Sequence, residues 1–256
     1  MDYLRFGRGR KPLVMLPGLS VQSVLSAAET IEKQYDVFCN DFTVYLFDRR
    51  SRLPAAYSVD DMADDTAAAM QRLGLSGACL FGASQGGMIA LTIALNYPAL
   101  VSRVALGSAA CRMDAARSAV LNDWIRLAQE RRCRELYLSF GEAVYPKAVF
   151  EKYRDAFSRM AASVTEQELD RFLTLARGTA GFDVKDRLPG ISCPVLAIGD
   201  SDDRVLGADA TPEIAAQLKA HPDCETYLYH GFGHAVYDTV PDFARRLYAF
   251  FRKEQL

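Results

Sequence analysis

The feature that most constrains the fold of this 256-residue chain is a series of short apolar runs, each closed by a glycine or a charged turn. Pro12–Leu16 runs into Pro17-Gly18, Phe42–Phe47 into Asp48-Arg49-Arg50, and Ala78–Phe81 into Gly82. Val101–Leu106 stops at Gly107, Pro194–Ile198 at Gly199, and Thr226–Tyr229 just before Gly231. Their apolar residues are consecutive rather than alternating, which suits strands covered on both faces. Amphipathic helical patterns lie between them. Ser58 is a good N-cap for a helix whose Val59, Met62, Thr66, Met70 and Leu73 share one face and which Gly74 ends. Phe243, Leu247 and Phe250 make a similar stripe near the C-terminus. Strands alternating with helices predict an α/β domain: a mostly parallel sheet with helices on both faces, joined by right-handed crossovers.

One stretch breaks the alternation. Residues 111–188 contain no convincing strand. Asp123, Trp124, Leu127 and Ala128 fit one helix, and Val149–Met160 fits another. Thr165-Glu166-Gln167-Glu168 is a capping box that opens a third helix, with Leu169, Phe172, Leu173 and Ala176 at helical spacing. The expected organisation is an α/β core from 1–110 and 189–256, with 111–188 as a helical cap. Such an insertion at the strand C-termini would cover the place where open α/β sheets bind ligands. Its aromatic residues Trp124, Tyr137, Phe140, Tyr145, Phe157 and Phe172 are expected mostly to pack the helices together.

Composition excludes several classes of function. Thirty Lys and Arg against 32 Asp and Glu leave a formal charge of -2, with no run of like charges to engage a nucleic acid. Residues 73–102 are uncharged, but Gly82, Ser84, Gln85, Gly86, Gly87 and Pro98 interrupt them, so no membrane span is expected. The N-terminal MDYLRFGRGRKP has no apolar core of a signal peptide, and the six cysteines are scattered without a Cys-x-x-Cys pair. A cytosolic protein with free thiols is expected.

The chemistry concentrates at Phe81-Gly82-Ala83-Ser84-Gln85-Gly86-Gly87, which follows an apolar strand and leads into the apolar helix Met88–Leu95. This is Gly-x-Ser-x-Gly in a strand–turn–helix setting, where a sharp turn lifts the serine hydroxyl clear of the sheet and demands small neighbours. A phosphate-binding turn is disfavoured, because Gly-x-Gly-x-x-Gly is absent and no lysine follows. A serine nucleophile needs a base. Of the three histidines, His221 precedes Pro222 in a polar loop, His230 ends the last strand, and His234 lies in the glycine-flanked loop Gly231-Phe232-Gly233-His234. His234 is the expected base, with His230 the alternative. An orienting carboxylate is expected among Asp200, Asp202 and Asp203, which follow the Pro194–Ile198 strand. The order serine, aspartate, histidine differs from the chymotrypsin and subtilisin orders. An oxyanion would be held by the backbone N–H of Gln85, at the start of the elbow helix, and by that of Leu19 in the loop after the first apolar run.

With these motifs in this order, the chain resembles the α/β-hydrolase superfamily over nearly its whole length, in particular small carboxylesterases and enol-lactonases. The resemblance rests on Leu16-Pro17-Gly18-Leu19, Gly82–Gly87, Pro194–Asp203 and Gly231–His234. It implies Asp202 as the orienting carboxylate, at the family's Gly-x-x-Asp spacing from Gly199, with Asp203 one step too far. Pro17 stands where such proteins often carry a histidine, which removes a side chain that braces the oxyanion loop. Asp48-Arg49-Arg50-Ser51-Arg52 lacks the glycines of the family's Asp-x-Arg-Gly-x-Gly, and its arginines are expected to form a solvated basic loop. A serine at position 84 disfavours the haloalkane dehalogenase and epoxide hydrolase chemistries, which use an aspartate there. Gln85 departs from the tryptophan of prolyl iminopeptidase-like relatives. The implied activity is hydrolysis of a carboxylic ester or lactone of a small, apolar substrate through an acyl-enzyme, without metal or cofactor. A carbon–carbon bond hydrolase using the same residues, and a low-turnover ligand receptor on the same fold, are the alternatives.

Overall fold

A computed structural model describes residues 1–253. Strands β1 (Tyr3–Gly7), β2 (Lys11–Leu16), β3 (Phe42–Phe47), β4 (Ala78–Ala83), β5 (Val101–Gly107), β6 (Val195–Asp200) and β7 (Cys224–Tyr229) form one sheet. Their spatial order is β1-β3-β2-β4-β5-β6-β7. Every pairing is parallel except that of β1 with β3. The helices are α1 (Ala28–Gln34), α2 (Val59–Arg72), α3 (Gln85–Asn96), α4 (Ala115–Gln129), α5 (Cys133–Val144), α6 (Lys147–Ala162), α7 (Glu166–Arg177), α8 (Ala210–Gln217), α9 (Val236–Thr239) and α10 (Phe243–Arg252).

The apolar runs become strands because both sheet faces are covered. In β2, Val14 and Leu16 join a core packed by α2 and α3, while Leu13 and Met15 join a second core packed by α10. This is the two-residue alternation of a strand applied to two apolar surfaces instead of one. The expected helix caps form. Ser58 and Asp61 make a capping box on α2, and Thr165 and Glu168 make another on α7. The edge strand β1 has no counterpart among the apolar runs. Only Phe6 of its five residues is buried, so burial leaves no apolar signature in its sequence.

Residues 111–188 form the four helices α4–α7, with a single isolated bridge between Arg112 and Asp183 as their only β pairing. Trp124 and Phe172 are buried in the same apolar core as Val14 and Leu16 of β2, Trp124 with its ring 4.5 Å from that of Phe140. No helix among the described residues is long and apolar enough to cross a membrane. All six cysteines are free.

The chain passes from β2 outward to β3 and then back to β4 on the other side of β2. The loops leaving the C-terminal ends of β2 and β4 therefore diverge and open a crevice, the usual ligand position of an open α/β sheet.

Candidate active site

Ser84 sits in that crevice, between β4 and α3, with φ 51° and ψ -118°. A non-glycine residue holds this conformation only when its surroundings impose it. The Ser84 N–H donates to the Gly107 carbonyl at 2.8 Å, and the Ser84 carbonyl accepts from Gly87 at 2.9 Å. The flanking glycines allow the turn to close. A side chain on Gly82 would begin 2.3 Å from the Gly86 carbonyl oxygen, and one on Gly86 would begin 2.1 Å from that of Leu16. Both obstacles are backbone, so neither can swing aside.

The serine hydroxyl lies 2.9 Å from Nε2 of His234, whose Nδ1 lies 2.8 Å from Oδ2 of Asp203. His234 is buried. Burial tends to raise the Asp203 pKa. The charge and hydrogen bond of His234, with the N–H groups of Leu206 and Val205, outweigh burial and hold the carboxyl below its ordinary range. An ionised carboxylate only accepts, so Nδ1 carries the proton and Nε2 is free to take one from Ser84.

Asp202 is not the residue that faces the imidazole. Its Oδ2 accepts the Gly231 N–H at 2.8 Å instead. The reason is that β6 continues through Gly199 and ends at Asp200, paired with Tyr229 of β7, so the turn begins one residue later than the glycine suggests. Asp200 is buried and accepts the N–H groups of Asp202 at 2.8 Å and Phe232 at 3.0 Å. Asp203 Oδ1 accepts those of Val205 and Leu206, leaving Oδ2 for the histidine. All three aspartates thus serve the site: two pin the loop that carries His234 and the third meets its ring. His230 is exposed and lies 2.8 Å from the Ser201 hydroxyl, away from Ser84.

Gly18, the residue before Leu19, lies beside the serine, since a side chain on it would begin 3.3 Å from Ser84 Cβ. The Gln85 N–H is the first of α3 and has no acceptor within the helix. The loop of Pro17 is braced after all. Arg49 is buried, not solvated, and donates to the Pro17 carbonyl at 2.8 Å and to Oε1 of Gln85 at 3.4 Å. Burial lowers its pKa to about 10, against the attraction of Asp48. Arg50 is partnered at the surface by Asp65, and Arg52 is exposed.

The helical insertion touches both halves of the site. Nε2 of Gln85 donates to the Leu175 carbonyl of α7 at 2.8 Å, and the N–H of Ala235, next to His234, donates to the Val144 carbonyl of α5 at 3.1 Å. Arg171 of α7 meets Asp48 at 2.6 Å. Among the described residues no group of three or more His, Cys, Asp or Glu side chains is arranged to hold a metal ion.

The profile of the alpha/beta hydrolase fold matches residues 11–162, more than half of the chain. The chain belongs to this family. As an alpha/beta hydrolase it has relatives with hydrolase names. A protein of Pantoea ananatis named as a candidate carbamate hydrolase, RutD, is 29% identical over 224 residues, spanning 78% of this chain and 75% of that protein. Among solved structures, MGS-M2, an alpha/beta hydrolase enzyme from a Medee basin deep-sea metagenome library, superposes with a TM-score of 0.88. It is 20% identical, and the match covers 100% of this chain and 95% of that one. The enol-lactonase from Burkholderia xenovorans LB400 superposes with a TM-score of 0.84 at 17% identity, covering 98% and 96% of the two chains. These likenesses show the shared fold, and the chain is a hydrolase of this family.

Two residues of the alpha/beta hydrolase site escaped sequence reasoning. Arg49 left no signal, because an arginine after a strand reads as a surface charge. Tyr237, in α9 just after the turn that holds His234, left no signal either, because only the folded loop brings its ring edge-on to the imidazole at 6.3 Å.

Proposed function

We propose that this hydrolase cleaves a carboxylic ester or lactone of a small, apolar substrate through an acyl-enzyme. The observation that carries the reading is the continuous line from Ser84 Oγ through His234 to Asp203, with contacts of 2.9 and 2.8 Å. Ser84 Oγ bonds to the substrate carbonyl carbon while its proton passes to Nε2 of His234. Asp203 holds the imidazole in the required tautomer and stabilises the imidazolium that forms. The N–H groups of Leu19 and Gln85 receive the developing negative charge on the carbonyl oxygen. The bond to the leaving oxygen breaks, and Nε2 returns the proton to it. Water, deprotonated by His234, then attacks the acyl group, and the departing Ser84 oxygen recovers a proton.

Residues 111–188 act in this reading as a cap on a core of 1–110 and 189–256. The contacts of Leu175 and Val144 with the two halves of the site support that role. The substrate is a small molecule, with neither nucleic acid nor a membrane span involved, and the free cysteines suit the cytosol. The relationship to a protein named for carbamate hydrolysis favours a second reading, cleavage of a carbamate by the same steps, since its carbonyl also bears a heteroatom leaving group.

The test is a panel of esters, lactones, carbamates and β-diketones, run on the native protein and on Ser84→Ala. A fluorophosphonate should label Ser84 stoichiometrically, and Ser84→Ala should lose on the order of 10⁴-fold or more in kcat, the scale of a lost serine nucleophile. Labelling at another residue, or full activity in Ser84→Ala, rules the reading out.

A further inference from the structure

We infer that the Tyr237 phenol is a third donor to the substrate's carbonyl oxygen and thus a further catalytic residue. The inference rests on the acyl-enzyme reading above. Tyr237 lies within α9, three residues after His234, and its ring stands at 83° to the imidazole. Two close approaches locate it. Cδ1 is 3.4 Å from the point where a side chain on Gly107 would begin, and the hydroxyl oxygen is 3.7 Å from the corresponding point on Gly18. That second point is also 3.3 Å from Ser84 Cβ. Gly107 accepts the Ser84 N–H, and Gly18 precedes Leu19, whose N–H the acyl-enzyme reading assigns to the oxyanion. The phenol therefore stands over the oxyanion turn, on the nucleophile's side of it.

The residue is anchored by its backbone. The Tyr237 carbonyl accepts from Gln34 Nε2 at 2.5 Å and from the Tyr35 hydroxyl at 3.4 Å. Its own hydroxyl makes no hydrogen bond among the described residues, so its proton is available to a substrate. Burial and the nearby Asp238 carboxylate push its pKa well above that of a free phenol, which keeps it a donor. A neutral O–H aimed at an oxygen that becomes negative gives a hydrogen bond that strengthens as the tetrahedral intermediate forms. Such a donor raises kcat rather than ground-state affinity.

Tyr237→Phe removes the hydroxyl and keeps the ring that packs on His234. With an ester that the native enzyme hydrolyses, kcat should fall by about 10- to 100-fold, with KM changed by less than about twofold. A trifluoromethyl ketone, which forms a tetrahedral adduct on the serine, should bind more weakly by a similar factor. A residue that only supports the fold would lower the melting temperature and leave the inhibitor's affinity in step with KM. Unchanged kcat and inhibitor affinity in Tyr237→Phe, or a loss confined to KM, would overturn the inference while the acyl-enzyme reading stands. A native protein that is neither labelled at Ser84 nor active on any ester overturns that reading, and this inference with it.

Discussion

Two loops meet in this site, and they are held in different ways. The turn that carries Ser84 is held by contact. Gly82 and Gly86 let backbone approach backbone, and no larger residue fits at either position. The loop after β6 is held by hydrogen bonds, with Asp200, Asp202 and Asp203 accepting five backbone N–H groups from Asp202, Val205, Leu206, Gly231 and Phe232. A steric constraint admits one residue type and so marks the sequence. A hydrogen-bonded loop can draw on any nearby carboxylate, so its register depends on where the preceding strand ends.

The largest effect that would break this comparison is at the second loop. Asp203→Asn keeps the shape but favours the wrong imidazole tautomer, and kcat should fall by up to about 10⁴-fold. Asp202→Asn should stay within about tenfold, because it alters only a hydrogen bond to the Gly231 N–H. The reverse order in steady-state kinetics would mean that β6 ends earlier than Asp200.

At the first loop, Gly86→Ala drives a methyl group into the Leu16 and Pro17 carbonyls. The Leu16-Pro17 turn must shift, with an expected loss of about 10²-fold in kcat, the scale of a 1 Å misplacement. Overpacking should also cost about 1–3 kcal/mol in denaturant unfolding. Native activity and stability in this variant would show that the turn is not sterically closed.

A smaller effect separates bracing from stability. Arg49→Met removes the bond to the Pro17 carbonyl while relieving a buried charge whose Nε has no partner among the described residues. We expect kcat lower by about tenfold, the scale of one lost hydrogen bond, with little change in melting temperature. A fall in melting temperature with full activity would make Arg49 a structural residue only.

The smallest effect is a pH dependence beside the histidine loop. Asp238 opens to solvent on one side but is otherwise surrounded by protein, and burial raises its pKa to about 6 against a hydrogen bond from Tyr145 and the charge of His234. A carboxyl raised in the folded state favours folding most below its unfolded value of about 3.9, and that contribution is lost as pH rises through the folded value. Asp203 has the opposite sign, since its depressed carboxyl favours folding above the unfolded value and loses this only in stronger acid. Asp238→Asn should therefore flatten the slope of melting temperature between about pH 4 and 6. An unchanged slope would show that solvent access cancels the effect of burial.

The apolar runs, the elbow around Ser84, the loop of His234 and the strand-free stretch 111–188 were all legible in the sequence. Each is written in a pattern that few other residues would satisfy: consecutive apolar positions, obligatory glycines, or a helical period without strands. β1 was not legible, because an edge strand with one buried side chain has almost no apolar pattern. Neither was the choice of Asp203 over Asp202, which depends on β6 pairing with β7 for one residue past Gly199.

By itself, then, the sequence determined the alternation of strand and helix and the tight turn that lifts Ser84 at the end of a strand, because excluded volume and burial act residue by residue. Only the tertiary structure decided which aspartate meets the imidazole, that Arg49 turns inward to brace the Pro17 loop, and that Tyr237 stands over Gly18. Those three depend on hydrogen bonds and packing between segments distant in the chain, and their partners are settled only once the sheet has assembled.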